Sequence, residues 1–341
     1  MSGELAVPRT DNTVNSVEVP TPSAREMALL FALKTCAEME AQGPPEWTID
    51  GVIPRGGLSV IYGRPGTCKS FVALSIAASV ATGTDWYGRR AEMGPVVFQA
   101  GEGSGGIGVR LAAWRAAHNT TVDKLAGFRW LPIAINLLDN EDVDGLVGLV
   151  RQERPTLVIV DTLSRATPGG DENAVRDLGR AVAATDRMRE VGGASVLLLH
   201  HSTKDGTSMR GHSALEGAAD CILEVRRSGQ TVELRNTKQK DAEPAETLKL
   251  SLRPEAHSAV LDSIKPSGSM PHADRQLLDF IREHCGSNGL SSSEIQGRAG
   301  VSETSFHRSR KNLETKGLIT NIGSRHSTSW VAQVVDEDDD E

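Results

Sequence analysis

A short segment between a predicted strand and a predicted helix has the residue types of a phosphate-binding loop. Residues 63–70, called here the phosphate loop, read Gly-Arg-Pro-Gly-Thr-Cys-Lys-Ser, between the apolar runs 58–62 and 71–81. The N–H groups of such a turn and the positive end of the following helix face an anion together. Lys69 would reach terminal phosphates, and the Ser70 hydroxyl suits Mg²⁺. The segment predicts a nucleoside triphosphate site that takes ATP and Mg²⁺.

The phosphate loop departs from the usual pattern at one position. Cys68 stands where the residue before the lysine is ordinarily Gly, and its Cβ restricts the backbone there. The N–H group is retained, so the change bears on turnover more than on binding, and a buried, inert thiol is expected. The alternative is a chance glycine-rich turn without a ligand. The residues predicted to contact nucleotide are Gly63, Arg64, Pro65, Gly66, Thr67, Cys68, Lys69, Ser70 and Phe71.

Two carboxylates follow later predicted strands. Asp161 ends an apolar run, where a carboxylate fits the role of accepting Mg²⁺-bound water beside Ser70. Glu102 lies between two glycines at the end of the predicted strand that follows the helix of the phosphate loop, at the sheet edge where ligands of such sheets bind. A carboxylate there can orient and deprotonate the attacking water. The alternatives are a turn or helix-capping role for Asp161 and a solvent-facing loop position for Glu102.

Histidines and cations follow another predicted strand. His200 and His201 end that strand, and we expect one of them to contact the γ-phosphate or the water and to report hydrolysis. The polar loop 202–212 then carries Lys204 and Arg210, and such a cation can act on a neighbouring subunit's phosphates as an arginine finger does. The alternatives are a strand-end histidine that bonds to backbone, and solvated cations.

The length of 341 residues fits either one large domain and a small one or two domains of medium size. The four cysteines have no paired spacing, which argues against a metal knuckle or a disulfide framework and favours a reducing cytoplasm. No run reaches the length of a membrane span, so no membrane partner is expected. The net charge is −8, and six of these negative charges lie in residues 336–341, which leaves −2 for the remainder. Global charge therefore neither supports nor excludes a nucleic-acid partner.

The order of predicted elements indicates an α/β fold. From residue 58 onward, apolar strands alternate with helical runs, which is typical of a mostly parallel, helix-covered sheet. After residue 219 short strands follow one another and predict an antiparallel extension at the sheet edge, while 24–42 has the periodicity of a helix. The predicted divisions are a disordered arm (1–23), an ATPase domain (24–264), a linker (265–273), a helical domain (274–333) and an acidic tail (334–341).

Residues 274–333 have the order helix, helix, turn, helix, hairpin, which resembles a winged helix-turn-helix. The helix after the turn usually enters the major groove of DNA, and cations of the wing contact phosphate. The alternatives are protein binding or simple packing, because fold does not fix function. The acidic tail is interpreted as a shield, a site for a basic partner, or a solubilising segment. Candidate DNA contacts are Ser305, His307, Arg308, Arg310, Lys311 and Arg325.

These segments together resemble the RecA-like ATPase core, and more closely the RepA-type hexameric helicases of phages and plasmids, often described as AAA-family ATPases. The resemblance covers roughly residues 45–264 and implies an α/β, RecA-like P-loop NTPase core. It rests on an ordered set of motifs: Ile53–Leu58, Gly63–Ser70, Ala100–Gly103 with Arg110, Val158–Ser164, Leu199–Lys204 and Arg210–Leu215.

The resemblance also implies roles. Glu102 is similar to the family's catalytic base, His201 to its phosphate sensor, Arg210 to a finger in the adjacent subunit, and Arg110 to a further active-site cation. A finger supplied in trans requires a head-to-tail assembly, for which a hexameric ring is expected. The implied function is an ATP-hydrolysing motor in phage or plasmid replication, with single-stranded DNA in its channel and duplex DNA at the winged helix.

Two further functions remain open from the residues. One is a recombination-type ATPase that coats single strands without unwinding, as filaments rather than closed rings. The other is a nucleotide-switched regulator or loader, in which the winged helix finds a site on duplex DNA and ATP sets the assembly state.

Overall fold

The computed structural model describes residues 23–41, 43–101, 104–171, 174–203, 206, 208–264, 270–286, 288–324 and 328–333. The helices are Ala24–Ala32 (α1), Cys36–Glu40 (α2), Lys69–Thr82 (α3), Ile107–Ala117 (α4), Asn140–Glu153 (α5), Val175–Gly192 (α6), His212–Ala218 (α7), His272–His284 (α8), Ser292–Arg298 (α9) and Glu303–Thr315 (α10). The strands are Trp47–Ile49 (β1), Ile53–Pro54 (β2), Leu58–Gly63 (β3), Val96–Ala100 (β4), Phe128–Leu131 (β5), Leu157–Asp161 (β6), Ser195–His201 (β7), Cys221–Ser228 (β8), Thr231–Gln239 (β9), Leu248–Glu255 (β10), Ser258–Ser263 (β11), Ile319–Asn321 (β12) and Trp330–Ala332 (β13).

The chain divides into two compact units between residues 44 and 45. In the first unit, the predicted helical run 24–42 forms two short helices rather than one. Ser23 caps α1 in a reciprocal pair of hydrogen bonds with Glu26, and Thr35 caps α2 in the same way with Glu38. A threonine whose side chain bonds to the backbone three residues ahead favours a new helix start, which explains the interruption.

The second unit is built on a nine-stranded sheet with the order β11-β10-β9-β8-β3-β7-β6-β4-β5. The pairs from β8 to β5 are parallel. The strands β9, β10 and β11 continue the sheet with antiparallel pairs. The predicted mostly parallel sheet with an antiparallel extension is therefore observed. Its first extension strand, β8, pairs in parallel with β3 and in antiparallel fashion with β9.

Two apolar clusters cover the two faces of this sheet. Strand residues alternate between the faces, as the two-residue period of a strand requires. On one face the strands pack against α3 and α4, and on the other against α5, α6 and α7. The central strands are buried on both sides, which explains why their sequences are almost continuously apolar. Within the described residues, no helix is both long enough and apolar enough to cross a bilayer.

The C-terminal segment (residues 270–333) has an apolar cluster of its own. Its described part consists of α8, α9 and α10 followed by the antiparallel pair β12 and β13. Ser291 caps α9 in a capping box with Glu294, and Ser302 caps α10 after a turn that contains Gly300 with a φ of 68°. The predicted order of helices, turn and hairpin is observed, while its assignment as a winged helix remains an interpretation.

Trp330 lies at the centre of this cluster. Its side chain is 1% exposed, and its indole N–H donates to the Ser292 hydroxyl at 2.9 Å. The Arg310 guanidinium lies over its ring, 4.9 Å from the centroid. Its backbone N–H donates to the carbonyl of Leu290 at 2.9 Å. Trp330 thus connects its own strand β13 to α9 and α10, in a segment of only about sixty residues.

We predict that Trp330→Ala unfolds the C-terminal segment and leaves the sheet intact. Loss of a buried Trp costs about 3–5 kcal/mol, which is comparable to the whole stability of a unit this small. Hydrogen exchange read by mass spectrometry should show rapid exchange in α8 to α10 and unchanged protection in β3, β6 and β7. Trp130→Ala is the control, because Trp130 is 42% exposed. Equal protection of α10 in the two variants would contradict the prediction.

Candidate functional site

The carboxyl ends of β3, β6 and β7 meet at one edge of the sheet. Gly63 is in register with His201 on the neighbouring strand, and Asp161 ends the next strand beyond. Two strand spacings separate β3 from β6 by about 10 Å. Ile159 and Leu199 pack in the cluster that contains α3, so strand alternation directs Asp161 and His201 to that same face. The helix that follows the phosphate loop therefore begins on the face to which these side chains project.

The backbone of the phosphate loop depends on its glycines. A Cβ at Gly63 would lie 2.3 Å from the carbonyl oxygen of Val225, so only glycine fits against β8 at this position. Gly66 has a φ of 78°, and Cys68 has a φ of 74° in the left-handed region. An L-residue held there costs about 1–3 kcal/mol. Cys68 thus occupies a conformation that glycine would adopt without strain.

Lys69 is the first residue of α3 and folds back over the phosphate loop. Its ammonium donates to the carbonyl oxygens of Gly63 at 2.9 Å and Arg64 at 3.0 Å, and the residue is 6% exposed. The Cys68 side chain makes no capping hydrogen bond, so the first N–H groups of α3 keep the capacity to bind an anion. The loop residues Arg64 to Gly66 are exposed, which leaves the outer side of the loop open.

The oxygen donors at this edge suit Mg²⁺. Ser70 offers a hydroxyl at the start of α3, and Asp161 offers a carboxylate that is 5% exposed at the end of β6. Hard divalent cations take such oxygen ligands. The residues present therefore fit the expected metal, which would neutralise phosphate charge when bound.

The thiol of Cys68 is buried and contacts the Arg227 guanidinium at 3.6 Å. Burial raises the pKa of this thiol, and this effect outweighs the positive charges of Arg227, Arg110 and Lys69, which act in the opposite direction. The thiol is therefore protonated at neutral pH, in line with the expected inert cysteine. The Arg110 guanidinium stacks 4.8 Å from the centroid of the Phe71 ring, on the first turn of α3. These cations give the loop the positive surroundings that a polyphosphate requires.

The loop after β7 lies against the phosphate loop. The buried His200 places its Nε2 3.1 Å from the carbonyl oxygen of Arg210, while the Arg210 Nε–H donates to the carbonyl of Ser202 at 3.2 Å. A Cβ at Gly206 would lie 3.2 Å from the Arg64 side chain. His200 thus serves to hold the loop, and His201 is the histidine on the face of α3.

Glu102, Lys204, Arg325, the acidic run 336–341 and the linker positions 265–269 lie outside the described residues. The strand before Glu102 ends at Ala100, in register with Asp161, so β4 reaches the same sheet edge. The roles of Glu102, Lys204 and Arg325 remain predictions.

Some of the candidate DNA contacts on α10 are exposed to solvent, and the others make contacts within the protein. His307 and Lys311 are exposed on the same side of the helix. Ser305 is 3% exposed, and its hydroxyl donates to the carboxylate of Asp85. The Arg308 guanidinium lies 3.9 Å from the same carboxylate, with 58% of its side chain exposed. Arg310 is not on the solvent face, because it packs over Trp330.

Asp85 joins the C-terminal segment to the loop that follows α3. The Ser302 hydroxyl, which caps α10, also donates to it at 3.3 Å. Burial raises the pKa of this carboxyl, while Arg308, Ser302 and Arg90 act in the opposite direction. The N-terminal turn of α10 is thus occupied by an intramolecular contact, and the exposed cations lie beyond it along the helix.

A separate cavity of about 590 Å³ opens at the ends of β4 and β6. Its described lining residues are Gly101, Ala134, Ile135, Asn136, Asp142, Ser164, Arg165 and Pro168. These residues follow β4, β5 and β6 and include an acid of α5, and none of them belongs to the phosphate loop.

Sequence reasoning missed two residues of this region, Arg227 and Asp85. The guanidinium of Arg227 contacts the phosphate loop from the end of β8, although it lies 160 positions away in sequence from the loop's central residues. Neither residue belongs to a motif. Their contacts depend on the sheet order and on the docking of α10, and a single sequence carries no direct signal for either.

Comparison with known proteins agrees with this geometry. The sequence profile of a family described as an AAA domain matches residues 23–207, more than half of the chain. No curated protein sequence matches the chain. The crystal structure of the RadB recombinase aligns with 58% of this chain and 88% of that chain, at 14% sequence identity and a TM-score of 0.43. This chain belongs to the AAA domain family, and the matched residues include the phosphate loop, Asp161 and His201 of the mostly parallel α/β sheet.

Proposed function

We propose that this ATPase is a DNA-associated oligomeric motor of the RepA type that acts in phage or plasmid DNA replication. The observation that supports it most is the meeting of the phosphate loop, Asp161 and His201 at one sheet edge, beside the loop that carries Arg210. A strained, cation-surrounded phosphate loop of this kind binds and cleaves triphosphate rather than serving as a passive turn. The exposed cations of α10 supply a surface for DNA.

The roles of the side chains follow from their positions. Lys69 would move from the loop carbonyls to the terminal phosphates, while Ser70 and Asp161 would hold Mg²⁺ directly or through water. His201 would contact the γ-phosphate from the end of β7, and Glu102 would take the proton of the attacking water. The loop 202–211 would then respond to loss of the γ-phosphate, because its first residue donates to the Gly63 carbonyl at 3.2 Å.

We predict that Lys69→Ala lowers ATP hydrolysis by about 100-fold or more, because one charge-stabilising donor is lost from the site. Steady-state phosphate release should be measured with and without single-stranded DNA, and the wild-type rate should rise with DNA. Lys249→Ala is the control, since Lys249 lies exposed on β10 at the far side of the sheet. Retained turnover in Lys69→Ala would overturn the site assignment.

The same assay separates the related functions. Stimulation by single strands together with unwinding of a forked duplex supports the motor. Stimulation without unwinding, with filaments seen by electron microscopy, indicates a recombination-type ATPase. Sequence-specific binding of duplex DNA with an unchanged rate indicates a regulator or loader.

A site shared between subunits is consistent with the exposed outer side of the phosphate loop. Head-to-tail assembly, such as a hexameric ring, would cover Arg64 to Gly66 with a neighbouring chain, and Arg210 is the proposed cation from that neighbour. The alternative is a role for Arg210 within its own subunit, because its backbone N–H donates to the carbonyl of His201 at 3.2 Å.

We predict that Arg210→Ala and Glu102→Gln are each inactive and that an equal mixture regains activity. If the sites are shared, about one quarter of the interfaces in a random mixture combine an intact Glu102 with an intact Arg210. Phosphate release should be measured after subunit exchange, with nucleotide binding confirmed in each variant. Absence of rescue at every ratio, in mixtures shown to exchange, would place Arg210 in its own subunit's site.

Binding of duplex DNA by the exposed face of α10 is a separate element of the proposal. His307 and Lys311 lie on this face beside Arg308, at positions that can reach phosphate or base edges.

We predict that Lys311→Ala weakens duplex binding several-fold and lowers the salt dependence of binding by about one phosphate contact. Fluorescence anisotropy at several salt concentrations measures both quantities. Lys249→Ala removes the same charge from the exposed face of strand β10 and is the control. If the two variants bind equally well, the C-terminal segment has another role.

A further inference from the structure

Arg227 makes three contacts at the end of β8. Its Nη1–H donates to the carbonyl oxygen of Gly66 at 3.3 Å and reaches the Sγ of Cys68 at 3.6 Å. Its Nε–H donates to the carbonyl oxygen of Gly229 at 2.9 Å, which fixes the guanidinium at the β8–β9 turn. One planar group therefore connects this turn to both residues of the phosphate loop that have a left-handed backbone.

The position that Arg227 touches is the one at which the chain departs from the glycine pattern. Cys68 is the N-cap of α3, and its φ of 74° is one that an L-residue adopts at a cost. Relaxation of this residue would rotate the peptide groups on both sides of it and turn their N–H groups away from a bound phosphate. A glycine at position 68 would adopt the positive φ without strain and would have no tendency to rotate these peptide groups.

The same strand contacts the loop at a second place. The carbonyl oxygen of Val225, two residues before Arg227 on β8, would lie 2.3 Å from a Cβ at Gly63, which is too close for any side chain. β8 pairs in parallel with β3 up to Tyr62, so its position beside the loop is set by the sheet. The strand thus holds the start of the loop by close packing and the middle of the loop by the guanidinium.

We propose that Arg227 is a positioning residue that holds the phosphate loop in its nucleotide-binding conformation and compensates for the cysteine at position 68. The proposal rests on the assignment of residues 63–70 as the nucleotide site. In this proposal Arg227 is needed only while position 68 is not glycine. A cation that contacts phosphate directly would be needed whichever residue stands at position 68.

The test combines Arg227→Ala with Cys68→Gly in the full chain. In the wild-type background, Arg227→Ala should raise the KM for ATP about tenfold and lower kcat by less than about threefold, because positioning affects binding of the nucleotide first. In the Cys68→Gly background, the same substitution should change KM by less than about twofold. Arg226→Ala is the control, because Arg226 pairs with Glu224 on the same strand at 2.9 Å and carries the same charge.

A measurement without nucleotide separates this proposal from the site assignment. Hydrogen exchange of the peptide that covers residues 63–72 should accelerate in Arg227→Ala and return to the control rate in the double variant. An equal loss of affinity in both backgrounds would overturn the proposal and assign Arg227 to the nucleotide itself. An unchanged KM and exchange rate in Arg227→Ala would also overturn it. If the double variant recovers the control exchange rate but the wild-type chain binds no ATP, the positioning role of Arg227 is supported and the assignment of residues 63–70 as the nucleotide site is refuted.

Discussion

The parallel pairing of β3 between β7 and β8 is the constraint on which the rest of the structure depends. Because both neighbours run in the same direction as β3, all three strands deliver their carboxyl ends to one edge. On one side Gly63 is in register with His201, and on the other it meets the carbonyl of Val225 with no room for a side chain. The phosphate loop is thus confined by the sheet before any ligand binds, and the cost of ordering it is met during folding.

This confinement explains how a non-glycine residue is tolerated in the loop. Cys68 has a buried thiol in contact with the Arg227 guanidinium and keeps a left-handed backbone, and a fixed environment is the condition under which such strain persists. The buried helix α3 continues directly from the strained residue, with almost every position from Val72 to Ala81 in the core. Packing of this helix therefore stabilises the conformation that the loop alone would disfavour.

The sequence predicted the elements of the core well, because apolar periodicity and the order of strands and helices are local properties. It located the phosphate loop, Asp161 and His201 at strand ends, and parallel pairing brings these ends together. It did not predict the contacts of Arg227 or Asp85, which arise from strand order and from the docking of α10. It also gave one helix where Thr35 starts a second one, because a periodic apolar pattern continues across a capping residue.

The two ends of α3 adjoin the phosphate loop and the loop that contains Asp85. The phosphate loop precedes Lys69, and Asp85 follows the other end after about 21 Å of helix. The indole N–H of Trp86 donates to the Ser75 hydroxyl at 2.9 Å, which ties the loop that contains Asp85 back to the middle of the helix. Ser302 and Ser305 of the C-terminal segment bond to Asp85. The end of α3 opposite the phosphate loop is therefore linked to α10 through the loop that contains Asp85 and through the carboxylate of that residue.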